Sequence, residues 1–294
     1  MESKSPSPLY RSEDFVVAVY MGILNRTPDF NGMREWLKRI AGGTPLSEVV
    51  SAIAKSEEAM ASASTYVRHS PANLLEALHA ARVEMVRQLP SAKKIVDLGG
   101  GAINDPRGGL VVMGYPYSFD SLLIIEPPPL MRHEMYKDIP DLLDKVETDR
   151  GTVQYMYTSM ADLSAIADHS VDLVFSGETI EHVSTEDCRK TLREVRRVLK
   201  NDGCFCFDTP NRTVTEIQMP SNYINPDHKI EYRHHEMMDL LNEASLKVVE
   251  VKGITYMPKT HHSKVFHEEE MRDNIGMYAD YESCYMLYYK CVRA

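Results

Sequence analysis

Cysteine is scarce in this sequence and shows no paired spacing: Cys188, Cys204, Cys206, Cys284 and Cys291 are the five in 294 residues, and no two form a CxxC. That excludes a zinc-ribbon site and the disulfide framework of a small secreted domain. Cys204 and Cys206, two apart, are expected on one face of a strand as reduced, buried thiols. No apolar run approaches the roughly 20 residues of a membrane-spanning helix, and the start, MESKSPSPLY, lacks a basic-then-apolar leader. The expectation is a cytoplasmic protein with no membrane span. Positive charge is short as well. The formal net charge is −10, and residues 1–70 add nothing to it, with 8 basic and 8 acidic side chains against 25 and 35 in the remainder. A long nucleic acid is disfavoured as a partner, because Lys and Arg neutralising phosphates normally supply that affinity.

What is present is a strand running into a glycine turn. In Lys93–Ala102, KKIVDLGGGA, the β-branched Ile95 and Val96 suit a buried parallel strand, and Gly99, Gly100 and Gly101 let a ligand approach the backbone closely. The dinucleotide fingerprint needs a third glycine where Asn104 stands, so nicotinamide binding is the weaker reading. Asp97, two residues before the first glycine, makes the stretch resemble the first motif of class I S-adenosylmethionine-dependent methyltransferases. Alone, the run is equally a tight turn after a strand.

Residues 1–10 are rich in Ser and Pro and are expected to be a disordered tail. Residues 11–69 read as a small all-α bundle: an apolar stripe from Phe15 to Leu24, a helix over Asn31–Ile40 ending at Gly42-Gly43, and a third helix opened by Thr44-Pro45 as N-cap and first helical position. Asp29 and Asn31 lack the EF-hand ligand series, so calcium is not expected there. The order Tyr20, Leu24-Asn25-Arg26-Thr27-Pro28-Asp29, Gly32-Met33, Trp36 and Ile53-Ala54-Lys55-Ser56-Glu57-Glu58 resembles a helical domain of unknown function. In bacteria that domain is often attached to glycan-building enzymes. The resemblance implies a protein partner for this part.

From 70 to 294 a helix over 73–89 is followed by alternating strands (94–98, 121–126, 151–158, 171–176, 203–208) and helices (near 130–146, 185–200 and 234–244), then strands 246–256 and 284–292. Such alternation predicts an α/β fold with a doubly wound, mostly parallel, seven-stranded sheet. An antiparallel last strand resembles the Rossmann-like methyltransferase fold. Pro106, Gly108, Gly109, Gly114 and Pro116 make a regular first crossover helix doubtful over 102–120.

Glu126 ends the second strand, where an acidic side chain can accept both ribose hydroxyls. The resemblance adds Met160, Asp162 and Gly177 to Asp97 and the three glycines as contacts of S-adenosyl-L-methionine. Strand four runs into Gly177-Glu178-Thr179-Ile180-Glu181-His182. A helical turn from Glu178 would project Glu178, Glu181 and His182 from one face. Further on, Asp227-His228-Lys229-Ile230-Glu231-Tyr232 is expected over the same sheet edge. The pair E-x-x-E-H and D-H-K-x-E-Y resembles RNA 3'-terminal 2'-O-methyltransferases and bacterial sugar methyltransferases. That resemblance implies Glu178, Glu181, His182 and His228 as ligands of a divalent cation, with two histidines favouring Mn, Fe or Co over Mg. An E-H pair also occurs there without a metal, and His182 or His228 then serves as general base. Asp208-Thr209-Pro210-Asn211-Arg212 resembles the family's acceptor-pocket segment. His234, His235, His261, His262 and His267 are assigned no role.

The sequence therefore predicts an S-adenosylmethionine-dependent O-methyltransferase acting on a sugar hydroxyl of a glycan or sugar conjugate, with Glu181, His182 and His228 carrying the chemistry. A ribose 2'-hydroxyl at an RNA 3' end is the alternative acceptor. A binding module with a degenerate cofactor site is the alternative that segment 102–120 raises.

Overall fold

The computed structural model describes residues 12–24, 27–56, 58, 74–102, 105–128, 132, 141 and 144–294. The expected tail over 1–10 and nearly all of the helix expected near 130–146 lie outside these residues. The chain divides into two units, Met1–Ser70 and Pro71–Ala294.

In the first unit, helices α1 (Ser12–Leu24), α2 (Phe30–Ala41) and α3 (Leu46–Ala54) bury Val16, Val19, Tyr20, Val49 and Ile53 together. Trp36 belongs to this core, its indole N–H donating to Tyr20 Oη at 3.1 Å. Asp29 caps α2 by accepting the Gly32 N–H at 2.8 Å, the helix-start role that explains an acid there without calcium. Gly43 follows the α2 C-cap at φ 94°, a left-handed turn that glycine adopts without strain. Pro45 is itself the N-cap of α3, so that helix begins one residue later than expected.

The second unit opens with α4 (Leu74–Arg87) and builds one sheet from β1 (Lys94–Leu98), β2 (Ser121–Glu126), β3 (Val146–Glu147), β4 (Thr152–Tyr157), β5 (Val171–Gly177), β6 (Leu199–Pro210), β7 (Leu246–Tyr256), β8 (Met277–Tyr278) and β9 (Cys284–Arg293). The strand order is β3-β4-β2-β1-β5-β6-β9-β7-β8. Strands β4, β2, β1, β5 and β6 run parallel, and β9 inserts antiparallel between β6 and β7. Among the described residues the sheet has nine strands rather than seven because β3 and β8, two residues each, add antiparallel edges.

Both faces of the sheet are covered, which is why β1 is apolar without alternation. Ile95 packs into one core with α4 residues Leu78, Ala81 and Met85. Val96 and Leu98 pack into the other, against Leu192, Val195 and Val198 of α6 (Thr185–Val198) and Leu240 and Leu241 of α8 (His234–Glu243). Between β1 and β2 the chain forms a single helical turn, α5 (Gly109–Val112), in place of a crossover helix. Gly108 at φ 80° bends this segment so that the Gly109 N–H meets Gly100 O at 2.7 Å. All five cysteines are buried and free, with Tyr288 Oη donating to Cys206 Sγ at 3.3 Å. No described helix is long and apolar enough to cross a membrane.

Candidate active site

The carboxyl ends of β1, β2, β5 and β6 lie side by side: Asp97 is level with Ile124 and Phe175, and Gly177 with Asp208. The glycine loop is cut to fit the acids around it. Gly99 sits at φ 73°, where a side chain would run into Thr179; a Cβ at Gly100 would fall on the Asp97 carboxylate, and one at Gly101 would lie 2.7 Å from Glu126 Oε1. Glu126 accepts the Gly101 N–H at 2.6 Å, which ties the end of β2 to the loop after β1. Burial raises the Glu126 carboxyl above its usual range, opposed by that N–H and by Arg132.

Asp97 is 1% exposed, and neither carboxylate oxygen has a hydrogen-bond partner among the described residues. Burial, then the charge of Glu126, pushes its carboxyl up to about 8; Arg82 opposes, as does the Leu110 N–H, which falls short of hydrogen-bond geometry. A buried, unpartnered carboxylate beside an open backbone loop suits a cationic or hydrogen-bond-donating ligand.

Arg82, on α4, organises the neighbouring strand ends. Its Nε donates to Asp208 Oδ2 and its Nη1 pairs with Glu178 Oε2, both at 2.7 Å. Burial opposes the guanidinium charge, and Asp208 and Glu178 outweigh it and raise the pKa. Asp208 is fully buried, and burial, opposed by Arg82, leaves its carboxyl at about 6. This network corrects the expected turn. Glu178 is not helical but left-handed at φ 49°, a conformation that costs a non-glycine residue about 1–2 kcal/mol. The turn proper is a 3₁₀ helix over Ile180–His182. Glu178 therefore points to Arg82 instead of sharing a face with Glu181 and His182.

Those two meet His228. One ligand atom each from Glu181, His182 and His228 lies within 4.8 Å of the others, and Glu178 stands outside this group. Backbone bonds hold the two segments together: the Lys229 and Ile230 N–H groups donate to Glu181 O at 2.7 and 3.2 Å. The rings of His182 and His228 meet edge to face, 4.8 Å between centroids. Glu181 is fully buried; Oε2 accepts from Thr209 Oγ1 at 3.0 Å, while Oε1 has no partner among the described residues. Burial, then the Glu178 charge, raises its carboxyl well above the usual range. Burial and His228 lower His182, against Asp227 and Glu178, which favours the neutral, ligating imidazole. The orphaned Glu181 oxygen and two imidazoles fit a divalent ion, with Mn, Fe or Co preferred over Mg.

The other expected contacts are dispersed. Met160 is half-buried against the second core, and Asp162 is exposed, its carboxylate accepting the Ser164 N–H at 3.2 Å. Gly177 leaves room for Arg82, whose guanidinium a side chain there would strike. Asn211 caps α7 (Arg212–Gln218) and donates to Cys284 O at 2.9 Å, so it holds the segment after β6 in place. At the opposite edge, the amino ends of the parallel strands, a cleft of about 830 Å³ is lined by Lys93, Asp172, Lys200 and Lys290 among others. It contains none of these site residues.

A methyltransferase domain model matches residues 133–207, and a domain of unknown function (DUF4214) matches residues 5–63. Over residues 133–207 the chain thus matches a methyltransferase domain, and its sheet and helices have the Rossmann-like methyltransferase fold. Two curated proteins from Mycobacterium tuberculosis strains, each named a probable S-adenosylmethionine-dependent methyltransferase, are 34% identical over 107 residues, 36% of this chain and 38% of theirs. The match thus spans well under half the length of those relatives. The crystal structure of a methyltransferase from Thermotoga maritima, described as a possible histamine N-methyltransferase, superposes with a TM-score of 0.50 at 18% identity, covering 75% of this chain and 89% of that one. That likeness is one of fold. Within the methyltransferase fold, Arg82 is the site residue that sequence reasoning missed; the signal was an arginine flanked by Ala81 and Val83 in the apolar stripe of a helix.

Proposed function

We propose that this chain is an S-adenosylmethionine-dependent O-methyltransferase that acts on a sugar hydroxyl of a glycan or sugar conjugate with the help of a divalent cation. The observation that carries the proposal is the convergence of Glu181, His182 and His228 within 4.8 Å, beside the strand ends that hold Asp97 and Glu126. A sugar hydroxyl is a weak nucleophile near neutral pH and must lose its proton as its oxygen attacks the sulfonium methyl. A divalent ion bound at these residues would supply Lewis-acid stabilisation of the developing alkoxide. Glu181, His182 and His228 would hold that ion at the strand ends where the acceptor hydroxyl would be positioned. In its absence, His182 or His228 would take the hydroxyl proton as general base.

The acidic balance of the second unit, 25 basic against 35 acidic side chains beyond residue 70, favours a glycan over a long polyanion. The helical unit, matched over 5–63 as a domain of unknown function, would serve as the docking module for a protein partner. The test is methyl transfer from labelled donor across sugars and RNA 3' ends, before and after chelation. Labelled sugars, activity lost on chelation and restored by Mn or Co, and inactive Glu181→Ala and His228→Ala variants that still bind the donor are expected. Full activity after chelation refutes the metal, and labelling of RNA ends alone refutes the sugar acceptor.

A further inference from the structure

His228 is served by a carboxylate whose own bonds are filled by the protein. Glu231 Oε1 lies 2.8 Å from His228 Nδ1 and also accepts the Ile224 N–H at 2.8 Å. Its Oε2 accepts from Thr215 Oγ1 at 2.5 Å and lies 3.5 Å from Arg212 Nη1. The Glu231 side chain is fully buried and that of His228 is 6% exposed. Both Glu231 oxygens are thus engaged, whereas Glu181 Oε1 is bare. The two buried acids differ in kind: one is left open toward the site and the other is spent on holding a neighbour.

We infer that Glu231 is a positioning residue: it holds His228 as the Nδ1–H tautomer and leaves Nε2 as the ring nitrogen offered to Glu181 and His182. A carboxylate on the far nitrogen fixes the orientation of an imidazole and strengthens its lone pair, and loss of such a partner typically lowers metal affinity by about 10- to 100-fold. Glu231 also joins three segments, because Thr215 lies on α7, Ile224 in the loop before His228, and the Glu181 carbonyl receives the two residues between His228 and Glu231. The inference rests on the proposed role of His228 at the site, and the experiment separates the two.

Nitrogen-15 NMR of the histidine rings in the full chain reports the His228 tautomer without any metal, and Co(II) titration reports affinity. The wild type is expected to carry the proton on Nδ1; Glu231→Ala is expected to populate both tautomers and to bind Co(II) about 100-fold more weakly. Glu231→Gln, whose amide oxygen still accepts from Nδ1 and which serves should the alanine variant not fold, is expected to keep the tautomer while losing about tenfold in affinity. A wild-type His228 protonated on Nε2, or variants that match the wild type in both readouts, overturns the inference. A wild type that shows the Nδ1–H tautomer but binds no Co(II) supports the positioning role and overturns the metal proposal instead.

Discussion

With Asp97 as the donor contact that the resemblance implies, binding of S-adenosylmethionine near neutral pH should release close to one proton from its carboxyl. In the free protein, burial and the charge of Glu126 hold the Asp97 carboxyl at about 8, so at pH 7 it is ~90% protonated. In that seat the donor would bring a permanent sulfonium charge and an ammonium group to a buried carboxyl that has no hydrogen-bond partner among the described residues. Positive charge nearby favours the ionised form. If the complex returns Asp97 toward the usual carboxylate pKa of about 4, binding at pH 7 releases ~0.9 proton. The sign follows directly: the pKa is lower in the complex than in the free protein, so the complex holds fewer protons and affinity rises with pH. The rise is about tenfold per pH unit between ~5 and 8, and it flattens above 8. Asp208, at about 6, is only ~10% protonated at pH 7 and adds little.

Calorimetry in two buffers of different ionisation enthalpy, phosphate and Tris, counts the protons. The apparent enthalpies should differ by ~0.9 of the difference between the buffers. In Asp97→Asn the difference should largely vanish and the pH profile flatten. Identical enthalpies in the two buffers, or an Asp97→Asn variant that releases as many protons as the parent, refute the assignment.

Arg82→Met removes the partner of the fully buried Asp208 and of Glu178, and should cost about 3–5 kcal/mol in urea unfolding, with part recovered in Arg82→Met/Asp208→Asn; a loss below about 1 kcal/mol would show that the network is not structural. Gly100→Ala places a methyl group on the Asp97 carboxylate and should weaken donor binding at least ~10-fold with the fold retained; wild-type affinity in calorimetry would mean that the loop is not the donor's seat.

How much of this was legible in the sequence depended on whether a residue's partner was local. Ile95, Val96, Asp97 and the glycines declared themselves within ten residues, because strand burial and a tight turn have local signatures. The seven principal strands were readable for the same reason, and β3 and β8 were not, since two-residue edges have no periodicity to detect. Glu181 and His182 were found through spacing, but the spacing misplaced Glu178. A helical turn from Glu178 is what the residues alone suggest, and only Arg82, nearly a hundred positions earlier, turns Glu178 the other way. Long-range ion pairs of that sort, and the hold of Glu231 on His228 through a ring nitrogen, leave no periodic trace.

The charge of the strand-end site leads to a last expectation, on how the site tells donor from product. Asp97, Glu126, Glu178, Glu181 and Asp208 gather at the ends of β1, β2, β5 and β6 and in the turn after β5, and Arg82 pairs two of them. Burial is the first cause of the raised carboxyl pKa at Asp97, Glu126, Glu181 and Asp208, so the site holds protons that a cation can displace. Methyl transfer removes the sulfonium charge, and the product therefore differs from the donor by one unit of charge. One such charge ~7 Å from a carboxylate, at an effective dielectric constant of about 20, is worth about 2 kcal/mol, or roughly 1.5 pKa units. Asp97 should then be more acidic in the donor complex than in the product complex. Between those two pKa values, about 4 and roughly 5.5, the donor complex holds fewer protons, so the preference for donor over product grows as pH rises, by about 4-fold from pH 5 to 8. Competition binding at three pH values measures that ratio, and Asp97→Asn should abolish most of its change. A ratio that stays constant from pH 5 to 8 in the wild type would show that Asp97 does not sense the charge lost in the reaction.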